Sequence, residues 1–200
     1  MAVTDPIAPA PGVDRRRRLL ESSLAVFTQR GYAASRVEDV CAEASVSRAT
    51  FYRYFDSKDE VFDALIELMC AEVLDSAAHL GAVTPDADGK ETLARWIADL
   101  VAITERWGAL VDEVNLPRAS NPVARERAVL LTSSFADVLA DRFTEGGVAG
   151  VDPKLAALAI IAMTERTAHQ VRTWDVDIDN RAMVDSLATL AMKMLHPVGG

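Results

Sequence analysis

Ala44-Ser45-Val46-Ser47-Arg48-Ala49-Thr50-Phe51-Tyr52-Arg53-Tyr54-Phe55 is the stretch on which the fold turns. Ser45 and Val46 make a short turn, and Ser47 is placed to cap a short helix over about 48–54. Phe51 and Phe55 are i, i+4 and share one face, which must be buried. At about 100° per residue, Ala49, Thr50 and Arg53 point the other way. Arg48 and Tyr52 flank that surface on one side and Tyr54 on the other. The outward face thus carries a guanidinium, a hydroxyl and a small apolar group near a helix N-terminus. These groups read base edges: arginine favours guanine, and threonine can meet a thymine methyl.

Upstream, Ser35 and Glu38 have capping-box spacing at the start of a helix over about 36–44. Two short helices joined by a three- to four-residue turn form a helix-turn-helix, whose second helix enters the major groove. A preceding helix is expected over about 14–30, with the stripe Leu20, Leu24 and Phe27 and a stop at Gly31. Ser57 with Glu60 repeats the capping-box spacing and opens a long helix over about 58–80. Tyrosine hydroxyls, Lys58 and helix N-termini suit phosphate oxygens.

The 200 residues support a sizeable core, and half of them are apolar. Net charge is −9, the opposite sign to that expected of a DNA binder. Its distribution answers the objection. Residues 1–60 hold nine Lys/Arg and nine Asp/Glu, whereas residues 61–200 hold twelve and twenty-one. A neutral head with the basic run Arg15 to Arg18 can meet phosphate, while an acidic body is repelled. The longest apolar run, Leu155 to Met163, is far short of a membrane span, and no signal-peptide pattern opens the chain. A cytoplasmic protein without membrane contact is expected. Cys41 and Cys70 fall in helical patterns and read as core, not as a disulfide framework.

The helical period continues to the C-terminus, so the fold class is all-α, with about nine helices. Residues 1–13 read as a disordered tail, 14–60 as the DNA-binding domain and 61–200 as a larger helical domain. Beyond the break at 81–89, helices are expected over about 90–107, from Gly108 to about 115, over 123–144, over 153–174 with Asp152 as cap, and from about 180 to 195. Residues 115–122 read as a loop.

In the eighth of these helices, Ala156, Ile160, Met163, Thr167, Gln170 and Trp174 share one face. Polar groups in an apolar stripe need partners, and such a mixture can line a ligand pocket. Met163, Thr167, Gln170 and Trp174, with Trp96, Trp107 and Phe135, are candidate pocket walls or plain core. In the last helix Met183, Leu187, Leu190 and Met194 form a packing stripe, serving either the same chain or a second copy.

No GxSxG elbow, P-loop, zinc-spaced cluster or dinucleotide fingerprint is present. His79, His169 and His196 are scattered, and Asp112 with Glu113 face different ways on a helix. An enzyme is not expected, nor is a cofactor or metal site. A helical interaction module without DNA binding is the other competing reading.

The run Leu24 to Phe27, Gly31-Tyr32, Ser35 to Val40, Ala44 to Phe55 and Ser57 to Glu60 closely resembles the DNA-binding domain of the tetracycline-repressor (TetR) family. The match spans about residues 15–62 without gaps. The resemblance implies a dimeric repressor on a near-palindromic operator, released by a small hydrophobic ligand, although activation is also compatible. It implies that Arg48, Ala49 and Thr50 open the recognition helix after Ser47. Tyr52, Tyr54 and Lys58 match positions that meet DNA, and Ser35 and Arg36 match a phosphate-touching helix start. It favours a homodimer interface from the last two helices. Two departures stand out: Ser45 replaces a usual turn glycine, and Ala49 replaces a common glycine.

Overall fold

A computed structural model describes residues 11–115, 122–174 and 176–196. Among them are eight helices and no strands: α1 Pro11–Arg30, α2 Val37–Ala44, α3 Arg48–Tyr52, α4 Lys58–Ala78, α5 Ala87–Asn115, α6 Pro122–Glu145, α7 Pro153–Thr173 and α8 Asn180–Leu195. The all-α expectation holds. Most of the expected loop over 115–122 and of the expected N-terminal tail lies outside the described residues; the loop's two ends, Asn115 and Pro122, belong to α5 and α6. Helix α1 starts at Pro11, inside that tail, with proline in the first turn where its missing N–H costs nothing.

Eight helices stand where nine were expected because Gly108 does not break α5, which runs 29 residues. A glycine inside a helix costs only about 1 kcal/mol relative to alanine, and packing overrides that here. A Cβ on Gly108 would lie 2.9 Å from the Arg172 guanidinium, so the glycine admits α7's arginine against α5. The same helix begins three residues early, at Ala87. Asp86 supports that start: its Oδ1 accepts from the Gly89 N–H at 2.9 Å and the Thr84 hydroxyl at 2.7 Å.

The other starts follow their caps. Ser47 Oγ accepts from the Thr50 N–H at 3.1 Å, Ser57 Oγ from the Glu60 N–H at 3.1 Å, and Asp152 Oδ1 from the Leu155 N–H at 2.7 Å. The expected Ser35–Glu38 box is displaced by one residue. Arg36 is the N-cap of α2, and its N–H donates to Asp39 Oδ2 at 2.9 Å. Ser35 turns its hydroxyl back to the Gly31 carbonyl at 2.6 Å.

Helices α1 to α3 form the head. Phe27, Phe51, Phe55 and Phe62 are fully buried and tie α1, α3 and the start of α4 together, each burial contributing about 1.5–3 kcal/mol. In the body, α4 packs on α5 and α6, α5 on α7 and α8, and α6 on α7. The buried residues run without interruption from the head through Phe62 and Leu65 into the body.

The turn between α2 and α3 is a Schellman close. The Val46 N–H donates to the Cys41 carbonyl at 3.0 Å and the Ser45 N–H to Ala42 at 3.2 Å. It requires Ser45 at φ 55°, ψ 45°, and Ser45 is the only non-glycine residue with positive φ among those described. The left-handed region costs an L-residue about 1–2 kcal/mol, part of which glycine returns through unfolded-state entropy. Ser45→Gly is therefore expected to stabilise the protein by about 0.5–1 kcal/mol, seen as a higher urea midpoint at unchanged slope. An unchanged or lower midpoint would show that the serine is unstrained.

Candidate nucleic-acid interface and body cavity

Helix α3 is only five residues long. A helix that short is not stable alone, so docking of Phe51 and Phe55 sets its conformation. Phe51 packs edge-on to Tyr52 at 5.4 Å and lies 6.0 Å from Phe55. Docking leaves Arg48, Ala49, Tyr52 and Arg53 exposed, with Thr50 and Tyr54 half-buried and Ser47 exposed beside them. The sequence-derived face of α3 is thus the solvent face.

Its charges are pre-positioned. Arg48 pairs with Glu38 across the turn and reaches the Tyr52 hydroxyl at 3.5 Å. Arg53 lies over the Tyr54 ring at 5.1 Å and Arg16 over the Phe55 ring at 5.0 Å. Arg30 bridges Asp39 at 3.1 Å, fastening α1 to α2. Of the Arg15–Arg18 run, Arg17 is held by Asp14 and Glu21 on its own helix. Arg36 is exposed at the start of α2.

Two expected phosphate ligands are turned inward. Ser35 is buried at 3 % exposure, with its hydroxyl on Gly31. Lys58 Nζ donates to the carbonyls of Tyr32 at 2.8 Å and Ser35 at 2.9 Å and sits 4.2 Å from the Tyr32 ring centre. Both carbonyls belong to the loop before α2, so Lys58 closes that loop onto α4. Tyr32 completes the clasp: its hydroxyl bonds to Asp59, and its ring packs at a tilt, 4.4 Å from that of Phe62. Burial, then the Asp59 bond, push its phenol above the usual range, so it stays neutral.

The body contains an apolar cavity of ≈ 70 Å³ between α4, α5, α6 and α7. Trp107 and Phe135 line it, as expected, together with Met69, Leu100 and Ile161. Trp107 is fixed by its indole N–H, which donates to Glu72 Oε2 at 2.8 Å. Trp96 packs behind, 5.9 Å from Phe135, and lines instead a separate cleft of ≈ 700 Å³ along α4 and α5. Met163, Thr167 and Gln170 are half-buried and do not line the apolar cavity, and Trp174 is 65 % exposed at the end of α7. The buried face of α7 is Ala156, Ala157, Ile160, Ile161, Thr164 and Ala168, so Ala156 and Ile160 of the expected stripe are buried, whereas its later members Met163, Thr167, Gln170 and Trp174 lie off that face. Its alanines carry too little apolar signal for the sequence to have marked that face. Glu165, absent from the expected set, faces the cavity.

The stripe on α8 divides. Met183 and Leu187 are buried within the chain, where α8 packs on α5 and α7. Leu190 is 55 % exposed, Met194 is half-buried, and Leu155 on α7 is 66 % exposed. Met183 and Leu187 are therefore core, and only Leu190 and Met194 of that stripe remain open to a second copy.

Neither Cys41 nor Cys70 forms a disulfide, and no cluster of three metal-ligating side chains occurs among the described residues. No described helix is long and apolar enough to cross a membrane.

Residues 19–65 match the profile described as bacterial regulatory proteins, tetR family. The fatty acid metabolism regulator protein of Bacillus subtilis is 23% identical, over 90% of this chain and 94% of its own length. The HTH-type transcriptional activator FasR of Mycolicibacterium smegmatis is 21% identical, over 90% and 83%. The crystal structure of the transcriptional regulator FadR from Bacillus subtilis, in complex with stearoyl-CoA, superposes with a TM-score of 0.70 at 22% identity, covering 90% of this chain and 99% of that one.

Proposed function

We propose that the chain, whose residues 19–65 match the profile of bacterial regulatory proteins of the tetR family, is a dimeric repressor of that family that docks α3 in the major groove and releases DNA when a small hydrophobic ligand fills the body. The observation that carries the reading is the solvent face of α3, where Arg48, Ala49, Thr50 and Tyr52 stand clear of a core held by Phe51 and Phe55. Arg48 and Thr50 meet base edges in this reading. Ser47, Tyr52, Arg53, Tyr54 and Arg36 hold the backbone, with the α2 N-terminus beside them. Ser35 and Lys58 act indirectly, by shaping the loop that presents α2.

Two copies pair through the outer faces of α7 and α8, with Leu155, Leu190 and Met194 at the contact. A two-fold pair presents its heads to successive major grooves, about 34–36 Å apart, so the operator is near-palindromic. The ligand site is the cavity beside Trp107 and Phe135. Ligand favours a tilt of α4 that spoils the head spacing, by no more than its differential affinity for the two states. A relative 21% identical to this chain is described as an activator, and in this reading the sign of regulation is set by where the operator lies.

Footprinting on the chain's own upstream DNA is expected to protect an inverted repeat. Binding should weaken as salt rises, with the linear log–log slope of counterion release. Protection of a single asymmetric site would refute the dimer geometry, and absence of salt-dependent binding would refute the DNA reading.

A further inference from the structure

Beside the apolar cavity lies a second space of ≈ 220 Å³, and Thr104, Val111 and Glu165 line both. The two adjoin, an aromatic and aliphatic inner chamber and an outer vestibule between α5 and α7, with these three residues as the throat of the passage inferred below. Glu165 is the only ionisable residue lining the chamber among the described residues. The walls from α4 and α6, including Met69, Val73 and Phe135, bring no charge to it.

The charged groups of the vestibule are Asp112 on α5 and Arg166, His169 and Arg172 on α7. Asp112 already engages two of them, His169 at 3.0 Å and Arg172 at 3.7 Å, and Arg166 is exposed. Thr104 donates its hydroxyl to the Leu100 carbonyl at 2.6 Å. No hydrogen bond or ion pair reaches the Glu165 carboxylate from the described residues. Burial alone pushes its carboxyl above the usual range. A half-buried carboxylate facing an apolar chamber without a partner is unfavourable, and a cation brought to it recovers that cost. The surplus acid of residues 61–200 adds a long-range field of the same sign.

We propose that this passage is selective for a small amphipathic cation, an apolar body carrying a protonated amine, whose ammonium group binds Glu165 at the throat while its hydrocarbon fills the chamber beside Trp107. The inference rests on the cavity being the ligand site and adds the charge of the ligand. The same carboxylate opposes an anionic head at that depth. A free fatty acid, whose carboxylate would lie beside Glu165, is therefore disfavoured.

The test titrates the full chain with hexylamine, hexanol and hexanoate, which share one hydrocarbon, and follows tryptophan fluorescence. Hexylamine is expected to bind about tenfold tighter than hexanol, the size of one charge-assisted hydrogen bond, and hexanoate weakest of all. Glu165→Gln should erase the amine preference while leaving hexanol binding within about twofold, which also reports that the variant is folded. Asp112→Asn should keep the preference. Hexanol binding without an amine preference in the native chain would overturn the charge selectivity and leave the ligand site standing. A preference that survives Glu165→Gln would overturn the role of that residue. Failure of all three compounds to bind at millimolar concentration would overturn the ligand site and the selectivity together.

Discussion

Arg48→Ala is expected to weaken operator binding by between about 30-fold and 10⁴-fold and to relax base preference at one position of each half-site. A good bidentate arginine–guanine contact is worth about 1–3 kcal/mol of discrimination, and a dimer loses two. The Glu38 bridge offsets little, because an exposed ion pair contributes only about 0–1 kcal/mol. Glu38 already holds Arg48 beside Tyr52 in the free head, so the guanidinium exchanges one carboxylate for one base edge without reordering its chain. Arg48→Lys should not rescue specificity, since an ammonium cannot form the planar two-pronged contact. Systematic substitution of the operator, read by binding at fixed salt, checks this. If Arg48→Ala reads the operator as the native chain does, α3 lies in the groove in another register.

Phe51→Ala is expected to abolish DNA binding by a different route. Phe51 is fully buried and anchors a helix of five residues. Truncating a buried phenylalanine costs about 3–5 kcal/mol, a large share of the ~5–15 kcal/mol that holds a typical domain folded. The loss falls on the head, so the amides of α2 and α3 should lose hydrogen-exchange protection while those of α5 and α8 keep it. Phe51→Leu, which keeps most of the volume, should retain most of the affinity. Native operator binding by Phe51→Ala would mean that α3 is not set by this core.

The head was legible in the sequence because its determinants are local. Phe51 and Phe55 at helical spacing fix the buried side of α3, and everything outward follows from the rotation per residue. Ser47, Ser57 and Asp152 announce helix starts by a side-chain bond three residues long. Ser45 was readable as a strained turn because so few residues accept positive φ. The start of α2 slipped by one because Glu38 and Asp39 are adjacent acids, and only the fold decides which caps and which pairs with Arg48. Lys58 and Ser35 looked like phosphate ligands because sequence shows a polar group but not the carbonyl it bonds.

The body was less legible because its determinants are distant. Gly108 reads as a break until Arg172, 64 residues on, is seen lying against it. On α7 the expected stripe holds at Ala156 and Ile160 and departs after them, because Thr164 and Ala168 give little apolar signal, whereas Thr167 and Gln170 draw the eye. Met183 and Leu187 show that an apolar stripe says a face is covered, not by which chain.

The Tyr32–Lys58–Asp59 clasp has a mechanical consequence. It joins the first turn of α4 to the loop before α2 by two carbonyl bonds, a phenol–carboxylate bond and a tilted ring contact. There is no soft joint at that end, so the head cannot lag behind the helix that carries it. Helix α4 has 21 residues and is therefore about 31 Å long. Met69 and Val73 touch the cavity near its middle. With such a rigid mount the helix works as a lever arm. A tilt of about 5° over a ~31 Å arm moves the far end by roughly 3 Å, so under the proposed mechanism a small swelling around the cavity would be magnified into a misfit at the groove.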